Sequence, residues 1–341
     1  MTLRIGLVGA GANTKLKHIP GFQEIDGVEI TAVANRSRES GQKVADAYGI
    51  PQVFDDWKEV VNSPDVDAVC IGTWPYMHCE VTLAALAADK HVLTEARMCM
   101  NVEEARQMYA ASQQSDKVTM IVQGGFYLES EEVLLEMVAD GAFGDWLEIH
   151  ANLLSGGYNP EAPLHWRQRR DLSGINIMAL GIAVEAMQRY AGTEKSVMAY
   201  GKTFTTERVD PDTGQSRAVD VPESLGVVAE LQNGATAVYH VSSVARMGTG
   251  GSFELHGTKG SIKLSEGTPW VALEGDETYR ELEVPAERKG SWQVEREFVD
   301  AVRDGTPVTR TSFADGVNYM MLTEAVQISM REGRRVELPL D

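Results

Sequence analysis

The chain has 341 residues, of which 43% are hydrophobic, and it carries 31 basic against 50 acidic residues, for a formal net charge of -19. This length is about twice that of a typical domain, so we expect two domains. The acidic excess repels nucleic acid and anionic membranes, which argues against nucleic acid as a partner. Any site for an anionic cofactor must therefore contain its own local positive charge.

Cysteine usage and the N-terminus bear on compartment. Cys70, Cys79 and Cys99 have no metal-ligand spacing and are too few for a disulfide framework, so we predict no metal site and a reducing cytoplasm. Met1 is followed almost directly by an apolar strand, and no apolar run reaches the roughly 18 residues of a transmembrane helix. We therefore expect neither export nor a membrane as partner.

The first third of the chain alternates short apolar strands with helix-like stretches, which predicts a parallel, doubly wound sheet. The predicted strands are residues 5–8, 30–34, 68–71, 91–94 and 119–122. Longer alternating segments follow and favour a mainly antiparallel sheet. These are residues 146–154, 197–204, 227–231, 235–242 and 253–255, with a hairpin predicted at Asn233-Gly234.

A glycine-rich turn follows the first strand directly. Gly9, Gly11, Ala12 and Asn13 lie in a Gly-x-Gly-x-x-small pattern that leads into a helix. Glycines there permit the tight turn and let a pyrophosphate approach the backbone N–H groups at the helix start. Because the turn lies between two β-units, we interpret residues 1–122 as a dinucleotide-binding Rossmann domain. The α/β domain over residues 123–341 then completes the substrate site.

The end of the second strand bears on cofactor choice. An acid that binds the ribose 2'-hydroxyl is usual there, whereas this chain has Asn35, Arg36, Ser37 and Arg38. The missing carboxylate removes repulsion against a 2'-phosphate, and the following side chains can form charge-assisted hydrogen bonds with it. NADP(H) is therefore favoured over NAD(H). A solvated basic helix start, or an NAD ribose bound by Asn35, stays open as an alternative.

Five further segments, in order, resemble the Gfo/Idh/MocA family of glucose-fructose oxidoreductase and inositol dehydrogenase. They are His18-Ile19-Pro20-Gly21, Thr73-Trp74-Pro75-Tyr76-Met77-His78, Asp89-Lys90-His91-Val92-Leu93-Thr94-Glu95, Gly141-Ala142-Phe143-Gly144 and Gly257-Thr258-Lys259-Gly260. The resemblance covers nearly the whole chain. It implies an α/β domain after the Rossmann domain, an open sheet that forms a homo-oligomer (dimer or tetramer) and a substrate held between the domains. It also implies cofactor contacts from Thr73, Trp74, His78, Glu95 and Gln123, although helix packing is the stronger interpretation of His78.

The chain departs from the family at the residues that handle the proton. The Glu-Lys-Pro motif reads Glu95-Ala96-Arg97, so the lysine is absent, and Arg97 cannot replace it because guanidinium does not deprotonate. Arg97 instead suits a substrate carboxylate, the nicotinamide end of the cofactor or a surface carboxylate. In the family's Asp-x-Gly-x-His motif both end positions are alanine, Ala179 and Ala183.

Residues near Ala179 and Ala183 are candidates to replace the missing lysine, aspartate and histidine. Asn176 precedes Ala179 by three residues and Ala183 by seven, so the three residues share one helix face and Asn176 can orient a ligand. Upstream, Tyr158, His165, Trp166 and Arg167 occupy the segment that faces the substrate in the family. His165 is the first candidate for proton transfer because its ordinary pKa lies near 6.5, and Tyr158 is the second. A structural histidine is the alternative.

The sequence is compatible with three functions. The first is an NADP-preferring oxidoreductase that acts by hydride transfer on a sugar-like or other small polyhydroxy or carbonyl substrate. The second is an NAD-dependent, glycoside-cleaving hydrolase or lyase. The third is a catalytically silent dinucleotide-binding regulator, which the missing lysine, aspartate and histidine favour. Nicotinamide absorbance separates them, because the first function changes it and the other two leave no net change.

Overall fold

The computed structural model describes residues 2–155, 157–248 and 250–340. These residues divide into two compact units. The first contains the chain up to Gln123 together with Leu172–Gly174 and Gln293–Val317, and the second contains Gly124–Asp171, Ile175–Trp292 and the chain from Asn318 onward. The predicted single boundary after residue 122 does not account for residues 293–317, which belong to the first unit.

The first unit is built on a six-stranded parallel sheet with the order β3-β2-β1-β4-β5-β6. Its strands are β1 Leu3–Val8, β2 Val28–Ala34, β3 Gln52–Phe54, β4 Ala68–Ile71, β5 His91–Thr94 and β6 Thr119–Ile121. Every residue of β4 is buried. Such continuous apolar strands are typical of parallel sheets that are covered on both faces.

Helices connect these strands. The helices that lie in the first unit are α1 Ile19–Gln23, α2 Arg38–Tyr48, α3 Trp57–Asn62, α4 His78–Ala87, α5 Val102–Gln113 and α9 Val294–Asp304. A π-helical stretch, Thr14–His18, precedes α1. Local signals set the ends of α2: Ser37 caps its start by accepting a hydrogen bond from the Ser40 N–H, and Gly49, at φ +72°, ends it. The predicted doubly wound fold is confirmed.

The second unit contains a nine-stranded sheet with the order β16-β15-β14-β13-β7-β12-β11-β8-β17. The strands are β7 Trp146–Leu154, β8 Glu194–Lys202, β11 Ser224–Leu231, β12 Thr236–Ser242, β13 Gly250–Gly257, β14 Gly260–Ser265, β15 Thr268–Leu273, β16 Arg280–Glu281 and β17 Val336–Glu337. Among the strand pairs that the described residues of this sheet form, only β7–β12 is parallel. The predicted mainly antiparallel sheet is therefore confirmed. A separate antiparallel pair consists of β9 Glu207–Val209 and β10 Ser216–Ala218.

The remaining helices are α6 Leu128–Ala139, α7 Arg170–Ser173, α8 Leu180–Ala191 and α10 Phe313–Glu332. Asn233 and Gly234 form the predicted hairpin turn between β11 and β12, with Gly234 at φ +90°. The turn closes with a 2.8 Å hydrogen bond from the Leu231 N–H to the Ala235 carbonyl. Among the helices within the described ranges, none is long and apolar enough to cross a membrane.

One face of the nine-stranded sheet exposes a row of apolar side chains across three strands. Met198 pairs with Val228, and Val228 pairs with Val238. These side chains are 55%, 52% and 37% exposed, whereas the alternate residues Val227 and Ala237 are buried. The sheet is thus covered on one side and presents apolar surface on the other.

Candidate functional site

In the first unit, the ends of β1 and β4 approach closely at the glycine-rich turn. Gly9 has φ +82°, and a Cβ built on it would lie 2.6 Å from the Thr73 side chain. A Cβ on Gly72 would overlap the carbonyl oxygen of Gly9. Only glycine fits this cradle, as expected where a pyrophosphate approaches backbone N–H groups. The turn that the sequence predicts as a dinucleotide site thus has the required backbone.

Asn35 is tied to that turn. Its side-chain carbonyl oxygen accepts a 2.7 Å hydrogen bond from the Ala10 N–H. The N–H₂ group of the same side chain points away from this bond and can only donate hydrogen bonds. An acid at the same position would present a carboxylate instead, so the structure gives this end of β2 donor character.

The neighbouring side chains differ in their surroundings. The guanidinium carbon of Arg36 lies 5.5 Å from the centroid of the Trp74 ring, which is cation–π distance. Ser37 caps α2. Arg38 forms an exposed 3.1 Å ion pair with Asp55. Of the two arginines predicted to meet a 2'-phosphate, Arg36 is placed beside an aromatic ring and Arg38 beside a carboxylate.

A buried polar cluster joins Asn13, His18, Glu95 and Glu295. His18 is fully buried and lies between two carboxylates, with Nδ1 2.5 Å from Glu295 and Nε2 3.0 Å from Glu95. The side-chain amide of Asn13 donates a 2.5 Å hydrogen bond to the same Glu95 oxygen. Glu95, predicted as a cofactor contact, is therefore fixed from two sides, one of which is the glycine-rich turn.

The two carboxylates determine the charge of His18. Burial alone lowers the pKa of this imidazole, but the hydrogen bonds to Glu295 and Glu95 outweigh burial and raise the pKa to about 9. Burial alone raises the pKa of Glu95, and the bonds from His18 and Asn13 bring it below its ordinary value. At neutral pH the cluster thus contains a buried imidazolium. His18 belongs to a motif recognised in the sequence, but its partner Glu295, 277 residues away, was missed.

Arg97 and His78 lie in the interior of the first unit. The Arg97 side chain is 1% exposed, so its guanidinium group is buried. The His78 ring is buried within hydrogen-bond distance of the carbonyl oxygens of Thr73, Arg97 and Met98, at 3.1, 3.0 and 3.2 Å. Burial lowers the pKa of His78. This histidine holds together the two loops that carry Thr73 and Arg97.

Gln123 ends the first unit, just after β6. Its side chain is 3% exposed, and neither its amide nitrogen nor its carbonyl oxygen has a hydrogen-bond partner among the described residues. A buried primary amide without partners is costly, so its presence is typical of a position that meets a ligand. This observation and the Gly9 cradle both fit a nicotinamide dinucleotide.

The second unit contains a cavity of about 460 Å³. Its polar wall includes His165, Arg167, Gln168 and Glu223. A smaller cavity of about 170 Å³ shares His165, Gln168 and Glu223 and is also lined by Arg208. His165, Arg167 and Ala179 of the sequence-based site are thus brought together at one cavity.

His165 begins a short 3₁₀ turn, Trp166–Gln168, as its N-terminal cap. Its Nδ1 accepts a 3.2 Å hydrogen bond from the Arg167 N–H, and the Gln168 side chain accepts one of 3.0 Å from the His165 N–H. Since Nδ1 acts as an acceptor, a neutral ring carries its proton on Nε2. Partial desolvation, and then Arg167, hold the pKa of this imidazole below its ordinary value.

Of the other residues of this segment, Arg167 lines the larger cavity, whereas Trp166 and Tyr158 line neither cavity. The guanidinium carbon of Arg167 lies 4.1 Å from the centroid of the Trp166 ring, and that ring lies 5.6 Å from the ring of His165. Tyr158 is 42% exposed, and neither cavity lining includes it. Arg169, two residues further on, forms an ion pair with Asp171 at 2.6 Å.

The helix-face argument for Asn176 is wrong. Helix α8 begins at Leu180, and Met178 has φ +45°, a left-handed conformation that interrupts any helix running back to Asn176. Ala179 is the N-cap and lines the larger cavity, whereas Ala183 is 1% exposed within α8. Asn176 is buried in the second unit and does not line either cavity.

A buried ion pair that sequence reasoning missed supports the segment before His165. Arg208 donates to Glu223 at 2.8 Å and to the carbonyl oxygens of Asn159 and Ala162 at 2.8 and 2.9 Å. Glu223 also accepts backbone hydrogen bonds from Phe204 and Thr205 at 2.8 and 2.7 Å. Burial raises the pKa of Glu223, but these bonds hold it below its ordinary value. No local sequence signal identifies such a long-range pair.

Two family models match the chain. One, described as an oxidoreductase family with an NAD-binding Rossmann fold, matches residues 3–123. The other, the GFO/IDH/MocA C-terminal domain, matches residues 133–263. Together they cover most of the chain. The first model falls within the first unit, and the second model begins within the second unit.

Curated relatives and solved structures agree with these models. The chain is 26% identical to myo-inositol 2-dehydrogenase of Thermotoga maritima over 98% of both chains. It is 24% identical to levoglucosan dehydrogenase of Pseudarthrobacter phenanthrenivorans over 99% of this chain and 98% of the relative. A solved complex of levoglucosan dehydrogenase with NADH and L-sorbose has a TM-score of 0.88 at 24% identity, covering 99% of this chain and all of that one, which shows the shared fold.

The glycine cradle, the parallel sheet followed by a mainly antiparallel one, and both family models lead to one assignment. The chain belongs to the Gfo/Idh/MocA family of NAD(P)-dependent oxidoreductases.

Proposed function

We propose that the protein is an NADP(H)-preferring oxidoreductase that interconverts a small alcohol and the corresponding carbonyl compound. The named substrates of several relatives, such as levoglucosan and myo-inositol, support a sugar-like or other small hydroxylated compound. The observation that carries the cofactor preference is the Asn35 side chain, whose oxygen is bound to Ala10 and whose N–H₂ group is a donor. The three cysteines are buried and none is in a disulfide, which supports the reducing cytoplasm that we expect.

The first unit supplies the residues that would hold the dinucleotide. The turn at Gly9 and Gly11 would receive the pyrophosphate, and Asn35 and Arg36 would meet the 2'-phosphate by hydrogen bonds and charge. Gln123 would provide an amide to the nicotinamide half, since its buried side chain has no partner among the described residues. When bound, the nicotinamide supplies or accepts the hydride.

His165 is the residue we propose for the reacting oxygen of the substrate. Its Nδ1 is engaged as the cap of the 3₁₀ turn, so the neutral ring presents an Nε2–H donor. A neutral imidazole in this state polarises a carbonyl group and stabilises negative charge on its oxygen. It is poorly suited to accept a proton at Nε2, which already carries one. Tyr158, on the same segment, is the next candidate for taking up the proton, directly or through solvent.

We also propose a homo-oligomer through the open face of the nine-stranded sheet. The row of Met198, Val228 and Val238, with Tyr200 at 75% exposure on the same strand as Met198, forms a contiguous apolar surface on paired strands. Such a surface is unusual on a monomer and is covered by a second copy in many proteins.

The test combines cofactor binding with turnover. Calorimetry should show tighter binding of NADPH than of NADH, and Arg36→Ala should narrow the difference. A panel of polyols and cyclic ketones should change nicotinamide absorbance at 340 nm, a wavelength at which only the reduced ring absorbs. Product release without a net absorbance change would favour glycoside cleavage, and cofactor binding with no reaction on any compound would favour a regulator.

A further inference from the structure

The larger cavity of the second unit has a mostly apolar wall. Six large apolar side chains line it: Phe126, Leu153, Leu154, Met178, Val221 and Val241. They come from β7, β12 and the connections around them, so the sheet itself supplies part of the wall. Burying a hydroxyl group against such carbon surface without a hydrogen-bond partner is unfavourable.

The polar groups of the wall are largely committed within the protein. The Ser155 hydroxyl donates to the Ser242 carbonyl at 3.1 Å, and the Ser243 hydroxyl donates to the Glu223 carbonyl at 3.3 Å. The Ser242 hydroxyl accepts from the Val244 N–H at 3.2 Å. Glu223 has its carboxylate bound by Arg208 and two backbone N–H groups. These groups therefore offer reduced capacity to a ligand.

The remaining polar side chains of the wall are concentrated in one place. His165, Arg167 and Gln168 all belong to the 3₁₀ turn and its cap. A polyol carries hydroxyl groups around its whole ring and needs partners on several sides. This wall instead suits a ligand that is polar at one end and apolar over its remaining surface.

We propose, on the basis of the proposed function, that the substrate is an alicyclic or aromatic alcohol or ketone with no more than two oxygen functions. The apolar ring lies against Phe126, Leu154 and Val241, and the reacting oxygen faces the turn that begins at His165. In the oxidative direction, the alcohol loses a hydride from carbon to the oxidised nicotinamide and a proton from oxygen to solvent, which leaves the ketone.

A matched pair of substrates tests this. trans-1,2-Cyclohexanediol and myo-inositol share a six-membered carbocycle and differ by four hydroxyl groups. With saturating NADP⁺, kcat/KM for the diol should exceed that for myo-inositol by about 10² or more, since hydroxyls buried without partners are rejected at roughly this level. Calorimetry of each compound with the cofactor-loaded protein gives a readout independent of turnover, and the diol should bind more tightly.

The outcomes separate this inference from the proposed function. Equal or better oxidation of myo-inositol would overturn the substrate class and leave the oxidoreductase intact. Tighter binding of the diol without any oxidation would contradict the proposed oxidoreductase function. It would still support the inference that the cavity wall selects ligands with few hydroxyl groups. A diol that does not bind at all overturns the inference.

A substitution on the wall provides the second test. Leu154→Asn places a primary amide of similar size in the cavity and should shift the ratio of the two kcat/KM values toward myo-inositol by about tenfold. Leu147→Asn, on the same strand β7 at a side chain that is 54% exposed and absent from the cavity lining, is the control and should leave the ratio unchanged. An unchanged ratio in a folded Leu154→Asn protein would show that this wall does not select the substrate.

Discussion

The Nδ1 atom of His165 accepts a hydrogen bond from the N–H of Arg167 at 3.2 Å. Nδ1 therefore caps the 3₁₀ turn, and the Nε2–H group of the neutral ring is left as a donor. The two sides can be separated by substitution. Asparagine keeps an acceptor near the Nδ1 position and removes Nε2, whereas alanine removes both.

We predict that His165→Asn lowers kcat/KM by about 10² to 10³ while cofactor affinity stays near its original value, as for the loss of one donor to a developing oxyanion. If the histidine acts only as a cap, His165→Asn should behave like the unmodified enzyme, and only His165→Ala should lose stability. Steady-state kinetics, calorimetry and thermal unfolding of both variants distinguish these cases.

The pH dependence gives an independent prediction for the same residue. Partial desolvation and Arg167 hold the pKa of His165 below its ordinary value, so the neutral ring predominates at pH 7. If neutral Nε2–H is the active form, the rate should be level near neutrality and fall only as the pH drops through the lowered pKa of His165, which lies below its ordinary value. A rate that rises on acidification would show that the imidazolium donates the proton.

Cofactor preference should reverse with one substitution. Asn35→Asp keeps an oxygen that accepts from Ala10 but places a carboxylate where a 2'-phosphate would bind. We expect the ratio of the NADPH and NADH dissociation constants to move toward NADH by roughly tenfold to a hundredfold, the size of one charge-assisted hydrogen bond. Asn62→Asp, at the exposed end of α3, adds the same charge elsewhere and should not change the ratio.

Local patterns predicted much of the fold because they act over a few residues. The strands at residues 68–71 and 91–94 coincide with β4 and β5, and the Asn233-Gly234 turn joins two paired strands as expected. Both signals depend on neighbouring residues, namely a short apolar run and a turn that tolerates positive φ.

The site was less predictable because long-range contacts determine it. His18 and Glu295 are 277 residues apart, and nothing near either residue identifies the other. The break before α8 arises from the left-handed conformation of Met178, for which a methionine gives no sequence signal. The cap at His165 did have a signal, since a Gln three residues later is typical of a capping box, although the usual cap is Ser or Thr.

The missing family residues lead to another prediction. The triple substitution Ala96→Lys, Ala179→Asp and Ala183→His, which introduces the family's usual residues, should not increase the native activity. We expect this because the proposed reaction uses His165 in place of those residues. Ala183 is 1% exposed, so its tightly packed surroundings have no room for a histidine ring. The overpacking should destabilise the protein by about 1–3 kcal/mol. Ala96→Lys with Ala179→Asp, which leaves Ala183 unchanged, is the matched control. A large gain in turnover by either variant would identify the chain as a decayed member of the usual catalytic type.

Oligomer formation should depend on the exposed row of the large sheet. Val228→Glu introduces a charge between Met198 and Val238 and should shift the protein to smaller species in sedimentation velocity at micromolar concentration. Val209→Glu, at a valine of similar exposure on β9, is the control. If the unmodified chain already sediments as a monomer, the row does not form an interface between copies.

The His18 cluster should make stability depend on pH in the alkaline range. His18 has a folded pKa of about 9 against an ordinary value of 6.5, so its contribution is complete below pH 6.5 and is lost as the pH rises through 9. The shift corresponds to a free energy on the order of 3 kcal/mol. Chemical unfolding at pH 6, 7.5, 9 and 10 measures it.

The comparison with His18→Gln isolates this effect from other groups that titrate at high pH. Glutamine keeps a hydrogen-bonding side chain but cannot be charged, so Glu95 and Glu295 then lack the cation between them. We expect the unmodified protein to be more stable than this variant by the largest margin at pH 6, and the margin to shrink toward pH 10. A margin that stays constant across the range would show that His18 is neutral in the folded protein and that the two carboxylates are balanced in another way.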